Sequence, residues 1–403
     1  MDFSDTPEEA AFRAEARAWL QAHAPGHLLP EGARPEDGDL VRRARAWLRQ
    51  LAAGNYAGIL LPQSLGGRGG TIAEAMIFAE EEGRYRLPKG PYTLIGQGMA
   101  LPAIIKHGTP GQIARFVAPT LRGDMIWCQL FSEPGAGSDL AALRTRAVRD
   151  GDGWVVNGQK IWSSWAHQAD WGILVARTDP AVPKHKGLSF FVVDMKSPGI
   201  EVRPIRQISG ASDFNETFFT DLRIPDLCRI GQIGEGWACA MTVLTSERLN
   251  QGGDTESGID NLIRYAAATV HDGGSPFDSS AVRLRFAMAY AEEQAERYLQ
   301  YRLRTTVSKG EDPGALPAIV KLAFGGRFQK MSAFALELRE LAGLAHEPGE
   351  TDTAAIMDDY IWSIALRIAG GADEVLRNQL AERVLGMPGE PRIDKDVPFN
   401  KLP

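Results

Sequence analysis

A block of short alternating segments in the middle of the chain constrains the fold most strongly. Over residues 124–225, apolar and polar residues alternate between turn signals, which is typical of short β-strands. Apolar residues at helical spacing precede and follow this block. Because helices and strands do not alternate along the chain, the order argues against a Rossmann-type sheet. The sequence therefore predicts an α+β fold with an N-terminal helical domain over residues 1–122, a middle β-sandwich or barrel domain over 123–235, and a C-terminal helical bundle over 236–403.

Local signals predict individual elements within this outline. Residues 6–9 (TPEE) supply a capping hydroxyl, a proline and two acids, which favours the start of a helix. Residues 150–153 (DGDG) and the pair Asn157-Gly158 each predict the turn of a β-hairpin, the second followed by a strand that carries two tryptophans. In the last third of the chain, helical spacing predicts helices over residues 237–249, 254–269, 280–307, 317–344 and 354–385.

Composition limits the class of protein. The chain has 403 residues, of which 44% are hydrophobic and 24% charged, as in ordinary soluble globular proteins. A net charge of -7 without a basic run argues against binding to nucleic acid. The three cysteines are scattered and the histidines lack ligand spacing, so neither a disulfide framework nor a metal site is predicted. The acidic N-terminus has no signal pattern and no apolar run reaches membrane-spanning length, so we expect a cytoplasmic protein.

The first candidate for chemistry is a loop at residues 131–139 (FSEPGAGSD), which follows an apolar, strand-like run. Glycine allows the backbone to approach a ligand closely, and successive amides in such a turn can bind an anion. Ser132 and Ser138 add hydroxyl donors beside those amides. Taken alone, the loop is more often an ordinary Gly-Pro turn between strands.

The second candidate is residues 157–166 (NGQKIWSSWA), where two tryptophans flank two serines. An indole can lie against a flat conjugated ring, and a neighbouring hydroxyl can donate to a ring nitrogen. The alternative is that both tryptophans belong to the core of a strand. The stretch by itself does not choose between these interpretations.

Together these motifs, with residues 234–237 (GEGW), resemble the acyl-CoA dehydrogenase family, and the similarity extends over nearly the whole chain to residues 381–388 (AERVLGMP). The resemblance implies non-covalent FAD at the β domain, with Trp162 packed on the flavin ring. Ser164 would donate near flavin N5, where the family usually has threonine, and Ser138 would face the diphosphate or the CoA thioester. The implied cofactor-binding residues are Phe131, Ser132, Gly137, Ser138, Trp162, Ser163 and Ser164.

Oxidation of an acyl-CoA between Cα and Cβ requires a base. As a hydride leaves Cβ for flavin N5, a carboxylate must accept the α-proton, and burial raises its pKa toward neutrality. Many family members carry this glutamate near the C-terminus, but here Gly370 occupies the matching position. Another branch, which includes the isovaleryl, long-chain and bacterial steroid-side-chain enzymes, has its base on an earlier helix just before an arginine.

The matching pair here is Glu247-Arg248. On a helical wheel Arg248 continues an apolar stripe and Glu247 lies at its edge, the stripe being Trp237, Met241 and Leu244. In isolation Glu247 would be interpreted as a solvated helix residue. Because Gly370 cannot accept a proton, the resemblance favours Glu247 as the catalytic base. Arg248 is either a salt-bridge partner or a residue that orients Glu247 and the substrate.

Two departures from the family pattern concern assembly. The Arg-x-x-Phe-Gly segment that reaches a neighbouring subunit's FAD is replaced by residues 271–278, and residues 341–349 replace the glycine-rich segment at the adenosine end. A homo-oligomer with fewer cross-subunit contacts and a heterotetramer with a related subunit both remain open. The resemblance also implies an electron-transfer flavoprotein as electron acceptor.

The leading hypothesis is therefore an FAD-dependent acyl-CoA dehydrogenase of lipid catabolism that produces a trans-2-enoyl-CoA, with Glu247 as catalytic residue and Ser138 and Arg248 binding the substrate. The alternatives are a flavin monooxygenase or oxidase of the same fold, or a non-catalytic subunit of a heteromeric enzyme. Small residues at Gly252, Gly253 and Gly370 favour a roomy pocket for a branched or ring-bearing acyl chain.

Overall fold

The computed structural model describes residues 5–29, 38–88, 91–249, 258–269, 274–339, 351–392 and 394–402. The chain divides into two compact units. The first unit combines Met1–Asn250 with Glu390–Pro403, and the second is Gln251–Gly389. Helices, then a mixed sheet, then helices follow one another along the chain, so the predicted α+β class is confirmed.

Seven helices of the first unit lie in its described residues, and several begin at side-chain caps. The hydroxyl of Thr6 accepts from the amide of Glu9, while the Glu9 carboxylate accepts from the amide of Thr6, which confirms the predicted helix start. Thr71 and Thr109 form the same capping box. The helices are α1 (Pro7–His23), α2 (Gly38–Ala53), α3 (Ile72–Glu82), α4 (Pro91–Ile95), α5 (Leu101–His107), α6 (Pro110–Leu121) and α7 (Gly236–Leu249).

Eight described strands form one mixed sheet. They are β1 (Trp127–Leu130), β2 (Arg146–Asp150), β3 (Gly153–Lys160), β4 (Trp171–Arg177), β5 (Leu188–Asp194), β6 (Ile200–Pro204), β7 (Asn215–Pro225) and β8 (Arg229–Ile230). Their order is β6-β7-β3-β2-β4-β5-β8, and β1 pairs with β4 off this path. The β1–β4 and β2–β4 contacts are parallel and the other pairs antiparallel. Strands β4 and β5 are almost wholly buried, so they form the centre of the first unit's core.

The two predicted hairpin turns have different outcomes. Residues 150–153 do connect antiparallel β2 and β3, with Gly151 at a positive φ of 59°. The prediction at Asn157-Gly158 is wrong, because β3 runs through this pair and stays paired with β7. A Cβ on Gly158 would lie 2.5 Å from Oγ1 of Thr145, so the glycine permits a close approach within the sheet. The Asn157 side chain bonds to Asp221 of β7.

The described helices of the second unit are α8 (Ile259–Ala268), α9 (Ser280–Ser308), α10 (Leu316–Glu337), α11 (Thr351–Ala365) and α12 (Asp373–Arg383). They surround a core that contains Ile259, Leu262, Phe286, Met331 and Phe334. The predicted helix over residues 280–307 is confirmed. Parts of the helices predicted over residues 254–269 and 317–344 lie outside the described residues. None of the described helices is both long and apolar enough to cross a membrane.

The single helix predicted over residues 354–385 is wrong, because the chain breaks between α11 and α12. Gly370 and Gly371 adopt positive φ values of 68° and 103°, which helical residues do not. The break is held by Lys321, whose buried Nζ donates to the Gly371 carbonyl at 2.7 Å and to Asp373 at 2.9 Å. Helical spacing continues through the two glycines, which is why the pattern concealed the break.

Candidate cofactor and active site

The loop over residues 131–139 follows β1 directly, and its backbone is closed by a tight turn. The amide of Glu133 donates to the Ala136 carbonyl at 3.0 Å, and the amide of Ala136 donates back at 3.0 Å. A Cβ on Gly135 or Gly137 would meet no described heavy atom within 4 Å. Ser138 is exposed and Ser132 half-buried. The loop therefore presents open backbone and two hydroxyls on its outer side.

A buried ion pair supports this loop from the inner side. Nζ of Lys160, a completely buried residue, donates to the Phe131 carbonyl at 2.8 Å and to Oε1 of Glu133 at 2.9 Å. The Glu133 carboxylate also accepts from the amides of Arg144 and Thr145, at 2.6 and 2.9 Å. These four bonds fix the loop to the end of β3 and to the chain that enters β2.

The pair titrates away from the ordinary values of its groups. Burial lowers the pKa of Lys160 to about 8, although the Glu133 charge opposes that shift. Burial by itself would raise the pKa of Glu133, but the Lys160 charge and the hydrogen bonds hold that pKa below its usual value. Sequence reasoning missed both residues, although each lies inside a motif. The signal available in the sequence was an acidic residue in the first motif and a basic residue in the second.

The tryptophan segment lies beyond the strand in which it was predicted. Strand β3 ends at Lys160, and the amide of Ile161 donates to the Ser132 carbonyl at 2.9 Å, which joins the two motifs. Trp162 and Trp165 both adopt a φ of 60°, a conformation that a strand cannot contain. The Trp162 side chain is 56% exposed, whereas Trp165 is buried. An indole is thus held at the surface next to the loop.

Asn215 holds this turn from the sheet side and was also missed. The amide of Ser163 donates to the Asn215 carbonyl at 3.0 Å, and Nδ2 of Asn215 donates to the Ser163 carbonyl at 2.9 Å. Because Nδ2 faces carbonyl groups, Oδ1 of Asn215 must accept the 3.0 Å bond from Nδ1 of His167. Nδ1 of His167 therefore carries a proton. Ser163 and His167 are thereby fixed in place by strand β7, which is distant from them in sequence.

The predicted cofactor residues divide into two groups. Gly137, Ser138 and Trp162 are exposed, and Ser132 and Ser164 are half-buried, so all five can reach a ligand outside the loop. Phe131 is buried with its ring edge-on to Phe190 at 6.0 Å. Ser163 is completely buried, and its Oγ has no hydrogen-bond partner in the part of the chain that the structure describes. These last two side chains lie behind the surface that the others form.

Helix α7 carries the predicted base and packs closely on β5. A Cβ on Gly236 would lie 2.6 Å from the Ser189 backbone, so only glycine permits this contact. The buried stripe of α7 is Cys239, Ala240 and Val243. The predicted apolar stripe lies beside this face: Trp237, Met241 and Leu244 are half-buried, and Trp237 and Leu244 pack against the core. The face with Cys239 is the more deeply buried one because Gly236 brings the start of the helix against the sheet.

The more deeply buried face bears on the position of Glu247. Glu247 follows Val243 by one helical turn, so it continues the buried stripe and also adjoins the predicted stripe at Leu244. Its side chain is half-buried. The side chain of Arg248 lies outside the described residues, as do residues 271–273, Gly252, Gly253 and residues 341–349. Gly370 lies in the break between α11 and α12 and offers no side chain.

A separate surface cleft of about 440 Å³ in the first unit contains none of the predicted site residues. Several of its polar lining residues already have partners, since Arg229 binds Asp226 at 2.9 Å and Nε2 of His107 meets Thr242 at 2.9 Å. No group of three potential metal ligands occurs among the residues with described side chains. The exposed indole beside the glycine and serine loop is therefore the stronger candidate for a cofactor surface.

The fold and this surface define a class: an α+β enzyme in which helices precede and follow a β-sheet along the chain, with an aromatic ring and hydroxyls just after strands β1 and β3. Three family models match in order along the chain, the acyl-CoA dehydrogenase N-terminal domain at residues 6–124, the middle domain at 128–222 and the C-terminal domain at 234–385. The chain belongs to the acyl-CoA dehydrogenase family. The predicted family is thereby confirmed.

Similar proteins agree with this assignment. Acyl-CoA dehydrogenase IpdE1 of Mycolicibacterium smegmatis is 37% identical over 95% of this chain and 99% of its own length. Acyl-CoA dehydrogenase FadE34 of Mycobacterium tuberculosis is 40% identical over 89% of this chain, which spans only 49% of that relative. A solved structure, the Tcur3481-Tcur3483 steroid ACAD, has a TM-score of 0.82 at 30% identity and covers 97% of this chain and 100% of its own.

Membership makes the chain an FAD-dependent oxidoreductase. The residues present fit that cofactor. Trp162 offers an exposed aromatic face, its ring standing edge-to-face with Phe214, and Ser164 offers a hydroxyl beside it. Ser132 and Ser138 offer hydroxyls along a glycine loop whose outer side is open. The threonine-to-serine change at Ser164 keeps the donor. The fit is strongest for the flavin ring and the diphosphate.

Proposed function

We propose that this chain catalyses the FAD-dependent α,β-dehydrogenation of an acyl-CoA thioester to the trans-2-enoyl-CoA. The observation that carries the proposal is the exposed Trp162 indole beside the open, hydroxyl-lined loop, held there by the buried Lys160–Glu133 pair. A rigid surface of this kind suits a planar cofactor, because a site that is already ordered loses little freedom when the cofactor binds.

Each predicted residue receives a role in this proposal. Trp162 packs on the flavin ring and Ser164 donates to it, while Ser132, Gly137 and Ser138 hold the diphosphate side. The backbone of Phe131 and the buried Ser163 support these contacts from behind. Ser138 also contacts the CoA thioester. Bound FAD supplies the acceptor for the hydrogen and electron pair that leave Cβ.

Glu247 removes the α-proton in this proposal. Its half-buried side chain continues an apolar stripe, so an acyl chain that covers it would remove water and make the carboxylate a stronger base. Arg248 orients Glu247 and the substrate. The absence of a side chain at Gly370 removes the competing position for the base.

A bulky, ring-bearing acyl group is the substrate class that we favour. The solved structure at 30% identity is a steroid ACAD. That likeness favours a wide acyl pocket over one shaped for a short linear chain.

We further propose that the chain works as an oligomer, with a related subunit as partner and an electron-transfer flavoprotein as electron acceptor in the cytoplasm. The solved steroid ACAD carries the names of two proteins, and the chain spans about half of FadE34. One face of α9 exposes large apolar side chains, namely Leu284, Met288 and Tyr298.

The domain boundaries also remain a proposal: residues 1–122, 123–235 and 236–403.

A panel of CoA thioesters tests the function. The chain is purified alone and with a co-expressed related subunit, and its flavin absorbance is recorded without oxygen as short, branched and steroid-bearing thioesters are added. We expect the flavin to be bleached by the ring-bearing thioesters, and mass spectrometry to detect the corresponding enoyl-CoA as the product. A protein that binds FAD in both preparations but is not bleached by any thioester would contradict the proposal.

A further inference from the structure

Residues 394–402, called here the 394–402 strap, pack against the connection between β4 and β5. The amide of Phe399 donates to the Val182 carbonyl at 2.9 Å, and the amide of Asn400 donates to the Pro180 carbonyl at 2.9 Å. Pro398 and Pro183 form an antiparallel bridge next to the first of these bonds. The strap is therefore attached by one bridge and by the first two amides of a short 3-10 helix at Phe399–Lys401.

The strap covers a buried guanidinium. The Phe399 ring lies over Arg177 with 3.5 Å between Cζ and the ring centroid, and Arg177 is 3% exposed. No carboxylate within the described ranges pairs with Arg177. Its three donors instead meet carbonyl groups, those of Ala141 at 2.6 Å, Leu143 at 3.1 Å and Lys184 at 3.1 Å. The Phe399 ring thus stabilises a cation whose other contacts hold the chain that follows the 131–139 loop.

A lysine makes a second connection from the strap to the loop. Nζ of Lys184 lies 2.7 Å from Oδ2 of Asp139 and 2.5 Å from Oδ2 of Asp394. Asp139 directly follows Ser138 at the end of the loop. Lys184 is largely buried, so removal of either carboxylate would weaken the compensation of its charge.

We propose that the 394–402 strap positions the 131–139 loop, and that Lys184 and Arg177 are the positioning residues that transmit its effect. Both residues contact the strap on one side and the loop or its continuation on the other. The proposal rests on the proposed function only where it assigns the loop to FAD. The contacts described above join the strap to the β4–β5 connection and to Arg177, so its effect on the loop passes through Lys184 and Arg177.

Amide hydrogen exchange of the cofactor-free protein tests the proposal, because the amides of Ala142 and Leu143 are bonded within the turn after the loop and report on its opening. The variants are D394N and F399A. The control is K401A, since Lys401 is an exposed residue of the same strap. We expect exchange at residues 139–145 to become about tenfold faster in D394N and F399A, with β5 still protected and K401A unchanged.

Two outcomes would overturn the proposal: unchanged exchange at residues 139–145, or acceleration that spreads equally to β5 and so reports general unfolding. FAD affinity is then measured by equilibrium dialysis well below each melting temperature. Weaker binding in D394N and F399A, but not in K401A, is the expected result. Failure of the unaltered chain to bind FAD would count against the proposed function, whereas the exchange result on the strap would stand independently.

Discussion

At the scale of single residues, buried charge explains how the candidate site keeps its shape. Lys160 is completely buried and joins two motifs through Glu133 and the Phe131 carbonyl. A buried pair of this kind contributes little net stability compared with apolar residues, but the loss of one partner leaves the other charge uncompensated. The pair therefore acts mainly by fixing the loop in one conformation.

Removal of the Lys160 charge should destabilise the folded protein. We expect K160M to lower the free energy of unfolding by about 3 kcal/mol, because Glu133 would remain buried without its cation. Urea denaturation at pH 7 measures the change. The matched control is K196M, whose lysine is 77% exposed and 3.3 Å from Asp170, and which should change stability by about 0.5 kcal/mol or less. Equal effects of the two substitutions on the free energy of unfolding would contradict the role given to the buried Lys160–Glu133 pair.

The same lysine gives a pH dependence. Because burial lowers the pKa of Lys160 to about 8, the folded protein releases this proton at lower pH than the unfolded chain, whose lysine keeps its ordinary pKa of 10.5. Between about pH 8 and 10.5 the unfolding free energy of the unaltered chain should therefore rise relative to that of K160M. Denaturation curves of both proteins at several pH values test this. If the difference in unfolding free energy between the two proteins narrows as pH rises, the prediction is contradicted and Glu133 dominates the titration of the pair.

At the scale of elements, close contacts that only glycine permits decide where helix α7 sits. A Cβ on Gly236 would meet the β5 backbone at 2.6 Å. G236A should therefore lower the unfolding free energy by about 2 kcal/mol through strain at this contact. The control is G326A within α10, where a Cβ meets no described atom within 4 Å and should raise helix stability by up to about 1 kcal/mol. Thermal unfolding measures both, and a neutral G236A would contradict the packing argument.

Elements also show what the sequence could and could not predict. The helix start at residues 6–9 and the hairpin at residues 150–153 depend on local chemistry, and both are confirmed. Asn157-Gly158 has the local signature of a turn, but pairing with β7 and the Asp221 contact keep it inside a strand. The break at Gly370 was concealed by continuous helical spacing.

The same contrast between local signals and contacts distant in sequence applies to the candidate site. The sequence motifs predict Trp162 and Ser138 as site residues, and both side chains are exposed. Lys160, Asn215 and the 394–402 strap were missed, since each acts on a segment that is distant in sequence and adjacent only after folding. Which face of α7 is most deeply buried likewise depends on a contact with β5 that helical spacing does not encode.

At the scale of the whole molecule, the exposed apolar face of α9 predicts association. Leu284 and Met288 are 62% and 57% exposed and lie one turn apart. We expect the double substitution L284E/M288E to shift the particle toward the monomer, because two charges would have to be buried at an interface. Light scattering after size exclusion, alone and with the co-expressed subunit, measures the mass. K309E at the exposed end of α9 is the control, and an unchanged mass in L284E/M288E would place the interface elsewhere.

The central claim is that Glu247 removes the α-proton on a surface that holds FAD. The most direct test is the anaerobic rate of flavin bleaching by the best thioester, measured by stopped flow at saturating FAD for the unaltered chain, E247Q and the control E8Q, whose glutamate is exposed on α1. We expect E247Q to retain FAD and bleach about 10³-fold more slowly, with E8Q unchanged. A rate in E247Q within a few-fold of the unaltered chain would contradict the account.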